Sequence, residues 1–124
     1  MRTFETFAIL LMSSLTSIPA VAQTTPPPPL DYVVVADSFS LPTGMTFGST
    51  SGVAINSKGH IFVLHRGPNP LMEFDANGQF IRALGEGLFD RPHGLRIDAH
   101  DNIWTTDARS HVVYKFSPEG RILL

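Results

Sequence analysis

Apolar residues between Leu30 and Leu124 occur in short runs that are rich in β-branched and aromatic side chains. Each run ends at glycine, proline, asparagine or aspartate, and no run has the spacing of an amphipathic helix. The pattern therefore predicts an all-β protein of short strands joined by tight turns. The predicted strands lie in the runs DYVVVAD, GVAIN, HIFVLH, LMEFD, QFIRAL, LRID, NIWTTD and VVYKF.

The runs after Gly52 repeat with a period of 42 residues, which is the separation of Gly52 and Gly94. The two copies align without a gap, and equivalent turns join their strands: NSKGH and DANGQ in the first copy, DAHDN and SPEGR in the second. Each copy is predicted to be a four-stranded antiparallel meander, and a repeat of this length indicates a blade of a β-propeller. The other identical pairs are Ile55 and Ile97, Ile61 and Ile103, Phe74 and Phe116, and Gly78 and Gly120.

One blade cannot bury both of its faces, so a propeller needs neighbouring blades. The sequence predicts one blade over residues 52–84 and a second over 94–124, with Leu124 inside a fourth strand. A further strand over 31–37 is expected to pair with the last blade, whose other strands would follow Leu124. Residues 30–124 are therefore predicted to be an incomplete propeller.

The first thirty residues have the composition of a targeting segment. Arg2 precedes an apolar run at 7–12, and Ala20-Val21-Ala22 supplies the small residues that a signal peptidase requires. A membrane anchor is the alternative, but the run is shorter than the roughly 20 residues that span a bilayer. We expect a signal peptide over 1–22, a proline-rich leader over 23–29, no membrane span after cleavage, and a secreted or periplasmic protein.

The net charge and the absence of cysteine exclude several classes of function. A formal net charge of -2 lacks the excess of cations with which proteins bind nucleic acid, so no nucleic-acid partner is expected. With no cysteine, disulfides, thiolate nucleophiles and cysteine-based zinc sites are excluded. Histidine, aspartate and glutamate remain as metal ligands.

The repeat resembles the blades of NHL-repeat propellers over Gly52–Leu124. More narrowly, SGVAINSKGHIFVLHRG at 51–67 and RPHGLRIDAHDNIWTTDARSHVVYKF at 91–116 look like the first blades of peptidyl-α-hydroxyglycine α-amidating lyases. The resemblance implies a six-bladed ring that binds zinc and calcium. Its reaction would convert a peptide with a C-terminal α-hydroxyglycine to a peptide amide and glyoxylate.

By this resemblance, Arg66 corresponds to an active-site arginine and His93 to one of three histidines that bind the catalytic zinc. Val53 and Leu95 correspond to positions whose backbone carbonyls bind calcium on the ring axis. The other zinc histidines, a calcium-binding aspartate and a catalytic tyrosine belong to later blades of the family. The chain alone is therefore expected to be inactive.

The same residues can be interpreted without the family. Val53 and Leu95 are equivalent in the repeat and are predicted to line the central channel, where their carbonyls would meet a hard cation or water. His93 stands where the earlier unit has Ser51, and strand alternation predicts that it shares one side of the strand with Leu95. A lone histidine is more often a loop residue than a ligand, and one imidazole cannot hold zinc.

The end of the second strand differs between the units, with LHR at 64–66 and TTD at 105–107. His65 thus replaces Asp107, which is expected to bond the following turn, and Arg66 follows as a second group that can be cationic. The guanidinium could clamp a carboxylate ligand or form an exposed salt bridge.

The remaining histidines and aromatic residues are given structural roles. His60, His100 and His111 fall at polar turns and are expected to face solvent. Packing between blades is predicted for the recurring aromatic residues Phe62, Phe74, Trp104 and Phe116. Two alternatives to the lyase remain: a non-catalytic propeller that binds a protein partner in the envelope or outside the cell, and a two-blade protein that assembles as an oligomer.

Overall fold

The computed structural model describes Pro26 and residues 28–124. The predicted signal peptide at 1–22 and most of the leader at 23–29 lie outside these residues. Within the described part, the chain forms strands and no helix, which confirms the all-β prediction. No helix able to cross a membrane is therefore found there.

The strands form two antiparallel sheets that correspond to the two predicted blades. The first sheet has four strands in sequence order, and the second has three. A single bridge between Phe116 and Ile122 marks the fourth strand predicted for the second sheet. The strands are β1 Ser49–Ile55, β2 Ile61–Arg66, β3 Leu71–Phe74 and β4 Phe80–Leu84 in the first sheet, and β5 Pro92–Ile97, β6 Ile103–Asp107 and β7 Val112–Phe116 in the second.

The turns after β1 and β5 follow the repeat in their backbone conformation. Gly59 and Asp101 are equivalent in the repeat, and both adopt left-handed φ angles, 78° and 59°. Aspartate tolerates this conformation better than most residues. The Asp101 carboxylate also accepts bonds from the Ser57 backbone N–H at 2.9 Å and the Ser57 hydroxyl at 2.5 Å, so this turn ties the two sheets together.

A shared hydrophobic core joins the two sheets. Phe62 from β2 and Phe116 from β7 lie in it, so the predicted packing between blades is confirmed for these two. Phe74 packs instead in a second cluster, where its ring centroid lies 4.7 Å from that of Phe39. Trp104 takes no part in either cluster. The fully or nearly buried residues of the shared core are Phe62, Leu64, Leu71, Leu95, Ile103 and Phe116.

The segment that covers the outer face of the first sheet is 39–47. Phe39, Leu41 and Met45 pack against the cluster that contains Phe74. Residues 31–37 form no strand, and Val34 and Val35 are exposed. The strand predicted there was expected to pair with strands beyond Leu124, so that pairing stays a prediction.

Candidate functional site

Two clefts open where the sheets meet, and each contains predicted site residues. The first, called here the Arg66 cleft, has a volume of about 340 Å³. The second, called the His93 cleft, has a volume of about 410 Å³. The Arg66 cleft is lined by Arg66, Gly67, Pro68, Pro70, Gly87, Phe89, Asp90 and Pro92, and the His93 cleft by Ser51, Gly52, Val53, His93, Gly94, Leu95, Arg96, Trp104 and Thr106.

Gly52 allows the inner strands β1 and β5 to approach each other. A Cβ atom at this position would lie 2.9 Å from the Cβ of Leu95, closer than side chains normally pack. The repeat motif Gly-Val/Leu therefore has a packing reason at its first blade. The close approach places Val53 and Leu95 in the His93 cleft.

The backbones of β1 and β5 each contain an irregularity at the same repeat position. Residue pairing shifts between Thr50 and Gly52 in β1, and between Pro92 and Gly94 in β5. The extra residue is Ser51 in the first strand and His93 in the second. Bulges of this kind re-aim a side chain, and they occur often beside functional sites.

The bulge corrects one prediction about His93. Strand alternation placed its side chain on the same side as that of Leu95, but Leu95 is buried in the shared core, whereas His93 is exposed. The extra residue breaks the two-residue period, so the prediction of a common side is wrong. His93 still lies in the same cleft as Leu95.

The imidazole of His93 forms no hydrogen bond with another described residue, so a ring nitrogen is available to bind a metal ion. The described residues contain no group of three or more histidine, cysteine, aspartate or glutamate side chains that could hold a metal ion. His93 thus fits zinc as one member of a ligand set. The assignments of zinc to His93 and of calcium to the Val53 and Leu95 carbonyls stay predictions.

Arg66 ends β2 with an exposed side chain on the wall of its cleft. Its Nε donates a bond of 3.4 Å to the carbonyl oxygen of Pro92, the residue directly before His93. Within the described part of the chain, the guanidinium pairs with no carboxylate. The structure thus brings Arg66 to the backbone beside His93 and leaves its charge uncompensated.

His65 is fully buried, which the sequence did not reveal. Its Nδ1 accepts a bond of 2.9 Å from the backbone N–H of Gly48, so the ring acts as an acceptor. Burial lowers the pKa of His65, against a smaller opposing effect of the Asn69 backbone. The prediction of a second group that can be cationic beside Arg66 is therefore wrong, because a buried imidazole without an acid partner stays neutral.

Asp107 bonds its turn as predicted. Its carboxylate accepts four backbone N–H bonds of 2.7–2.9 Å, and the side chain is buried. Burial alone would raise the pKa of Asp107, but its hydrogen bonds from the backbone outweigh this effect and hold the pKa well below the usual range. The four donors are Asp90, Arg91, Arg109 and Ser110.

We expect Asp107→Asn to destabilise the chain by roughly 3 kcal/mol, because the amide NH₂ would face backbone donors and leave them unpaired. The pKa of Asp107 is lowered by folding, so the carboxylate stabilises the fold above about pH 4, the value of a free aspartate, and this contribution is lost as pH falls. In urea unfolding, the free energy of unfolding should decline less between pH 7 and pH 3 in the variant than in the unaltered chain.

Glu86→Gln is the control for this prediction, because Glu86 is exposed and makes no side-chain bond with a described residue. It should leave both the stability and its pH dependence unchanged. Equal stability of Asp107→Asn and the unaltered chain at pH 7 would contradict the assigned role.

A polar cluster around the buried Glu73 side chain was missed by the sequence analysis. Glu73 accepts bonds from Arg82 Nε at 2.6 Å and lies 2.8 Å from His60 Nδ1. Arg82 also donates to the carbonyls of Pro118 and Glu119 in the second sheet. His60 is thus half-buried and bonded to Glu73, so the expectation that it faces solvent is met only in part. The direct pairing of Glu73 and Arg82 across the β3–β4 hairpin was the available signal.

The other two turn histidines, His100 and His111, are exposed as predicted. Trp104 donates from Nε1 to Asp98 at 3.0 Å, and the Lys115 ammonium lies 4.7 Å from its ring centroid. These contacts explain why Trp104 remains outside the shared core. The bonds from Trp104 and Asn102 hold the pKa of Asp98 well below its usual range.

The chain is similar to curated peptide-amidating proteins. It is 31% identical to peptidylglycine alpha-amidating monooxygenase of Rattus norvegicus, over 62% of this chain and 11% of that protein. It is 44% identical to peptidyl-alpha-hydroxyglycine alpha-amidating lyase 1 of Drosophila melanogaster, over 36% of this chain and 8% of that protein. It is 32% identical to peptidyl-alpha-hydroxyglycine alpha-amidating lyase 2 of the same organism, over 59% of this chain and 24% of that protein.

These similarities confirm the predicted resemblance to the amidating lyases. No protein-family model matches the chain. The matched part spans between 8% and 24% of the length of these three relatives. The activity of these relatives is therefore attributed to this chain only as a proposal.

Proposed function

We propose that this chain provides the first two blades of a secreted or periplasmic peptidyl-α-hydroxyglycine α-amidating lyase with a six-bladed NHL-type propeller. Its similarity to curated lyases supports the reaction class. The structural observation that carries the proposal is the bond between Arg66 Nε and the Pro92 carbonyl. It brings a cation without a carboxylate partner to the backbone that precedes the candidate zinc ligand His93.

The proposed reaction splits the C–N bond of a peptide that ends in α-hydroxyglycine. The hydroxyl loses its proton, its oxygen forms the aldehyde carbonyl, and the C–N bond breaks. The nitrogen takes up a proton to become the peptide amide. The carboxylate passes unchanged into glyoxylate, so a group that binds it can hold both substrate and product.

Arg66 is proposed to bind this carboxylate. A guanidinium presents two parallel N–H donors that match the two oxygens of a carboxylate. Its weak 3.4 Å bond to Pro92 uses only Nε, so the terminal nitrogens remain for the ligand. Arg66 would thereby orient the hydroxyglycine relative to the backbone beside His93.

His93 would hold zinc together with two histidines that the resemblance places in later blades. When bound, zinc would supply a Lewis acid that lowers the pKa of the substrate hydroxyl group. Backbone carbonyls of Val53 and Leu95 would hold calcium, an ion that prefers oxygen ligands. Because these carbonyls come from different blades, their joint use would tie the blades together.

A chimera tests the proposal: this chain replaces the matching segment of Drosophila melanogaster lyase 2. We expect the chimera to release glyoxylate from an acylated dipeptide that ends in α-hydroxyglycine, above the rate without protein. The isolated chain should release none, since one histidine does not make a zinc site. The unaltered lyase 2 provides the positive control.

A chimera that unfolds as cooperatively as lyase 2 and yet releases no glyoxylate would contradict the lyase proposal. The alternative, a non-catalytic propeller that binds a protein partner, would then be preferred. Glyoxylate release by the isolated chain would contradict the assignment of the remaining ligands to later blades.

A further inference from the structure

Positions 65 and 107 are equivalent in the repeat and serve the same backbone position. Asp107 accepts a bond from the N–H of Asp90, and His65 accepts one from the N–H of Gly48, the equivalent of Asp90. Both side chains are buried. The histidine therefore reproduces one hydrogen bond of the carboxylate while it removes a negative charge.

The loop after position 65 has changed in step with the histidine. In the second blade, the N–H groups of Arg109 and Ser110 donate to Asp107. Their equivalents in the first blade are Gly67 and Pro68, and proline has no N–H to donate. A loop with fewer donors no longer needs a carboxylate acceptor.

Gly67 makes the space for the larger ring. A Cβ atom at this position would lie 2.7 Å from Cε1 of His65, so a residue such as Arg109 would not fit beside the imidazole. Gly48 is similarly constrained, because a Cβ there would collide with the carbonyl oxygen of Arg66. The bond from Gly48 to His65 thus holds a segment that lies directly against the Arg66 backbone.

The residue that follows differs in charge between the two blades. Asp107 precedes the uncharged Ala108, whereas His65 precedes Arg66. An aspartate at position 65 would be a buried negative charge next to the Arg66 cation. Buried charges are weakly screened, so it would compete with any anionic ligand of that arginine.

We propose that His65 is a positioning residue: its uncharged ring fixes the backbone at Arg66 through Gly48 and leaves the Arg66 charge available to a carboxylate ligand. The ligand class, a carboxylate such as glyoxylate, rests on the proposed function. The comparison of the two blades supports the role, since the acid Asp107 precedes an uncharged residue and His65 precedes Arg66.

Two isosteric variants separate geometry from charge. In His65→Asn, the amide oxygen can accept the Gly48 bond without a charge. In His65→Asp, a carboxylate of the same shape can accept that bond, as Asp107 does, and adds a negative charge. Each substitution is made separately in the lyase 2 chimera. Each variant is first checked for cooperative unfolding and for protection of the Gly48 amide from hydrogen exchange.

We expect His65→Asn to stay within about threefold of the unaltered chimera in the KM of the hydroxyglycine peptide. His65→Asp should raise KM by about tenfold or more with little change in kcat, because the added charge weakens ground-state binding. Equal KM values for the two variants would overturn the proposal, whether both stay near that of the unaltered chimera or both rise.

A binding measurement keeps this proposal separate from the proposed function. Glyoxylate is titrated into the ¹⁵N-labelled chimera, and the Nε–H signal of Arg66 is followed by NMR. The dissociation constant should rise about tenfold in His65→Asp, even where no turnover is detected. If the dissociation constant rises tenfold in His65→Asp but no glyoxylate is released, the result would count against the lyase alone.

The unaltered chimera provides a test that does not depend on the folding of a variant. The ¹⁵N shifts of the His65 ring should show an unprotonated Nδ1 and a protonated Nε2 at pH 7. A cationic ring, or a neutral ring with its proton on Nδ1, would overturn the proposal, because a protonated Nδ1 cannot accept the bond from the Gly48 N–H.

Discussion

Replacing His93 with alanine in the lyase 2 chimera is expected to abolish glyoxylate release and to deplete zinc. The loss of one of three protein ligands should weaken zinc binding by at least about 10²-fold, the upper end of the effect of a changed outer-shell partner. The fold should persist, because His93 is exposed and lies at a bulge without a ladder partner. Elemental analysis of zinc and a glyoxylate assay measure the two effects together.

His100→Ala is the matched control for His93→Ala. His100 is also exposed, and its only bond to a described residue, from its backbone N–H to Asp98, survives the substitution. Zinc content and turnover should both stay unchanged in this control. Full zinc occupancy in His93→Ala would mean that the resemblance fails at this residue, and the binding-scaffold alternative would then be preferred.

Replacing Arg66 with alanine should have the opposite pattern, with zinc retained and turnover lost. A bidentate clamp on the substrate carboxylate would disappear, and we expect kcat/KM to fall by about 10²-fold or more. Arg66→Lys should recover only part of this loss, since an ammonium keeps the charge without the paired donors. Steady-state kinetics with zinc analysis of the same samples measure the result.

Arg121→Ala serves as the control for the arginine substitution. Arg121 is an exposed cation outside both clefts, with one long ion pair, 3.8 Å from Nη2 to the Glu119 carboxylate. Its loss should leave kcat/KM nearly unchanged, because it lines neither cleft and an exposed ion pair contributes little to the stability of the fold. An unchanged kcat/KM in Arg66→Ala would contradict the proposed carboxylate clamp.

The architecture was predictable from the sequence because it rests on local rules. Alternation, turn residues and the 42-residue period indicated strands at nearly the observed places, and the structure repeats even the left-handed turn at Gly59 and Asp101. The inner strands carry their bulges at equivalent positions as well, at Ser51 and His93. A repeated sequence encounters the same local constraints twice, so it folds the same way twice.

The details of the site required the tertiary structure. Nothing in the order of residues shows that the His65 ring is buried against Phe47 and Gly48, or that Glu73 binds His60 and Arg82 at once. These contacts join segments distant in the chain, and burial then decides which groups are charged.

The sequence by itself determined the strands, the turns, the repeat and the candidate residues Arg66 and His93. Only the tertiary structure decided that a bulge exposes His93 while Leu95 enters the core, and that Arg66 reaches the Pro92 carbonyl with its charge unpaired. The physical reason is that periodicity specifies which way a regular strand faces, whereas irregular backbone and contacts between sheets depend on how the two blades pack.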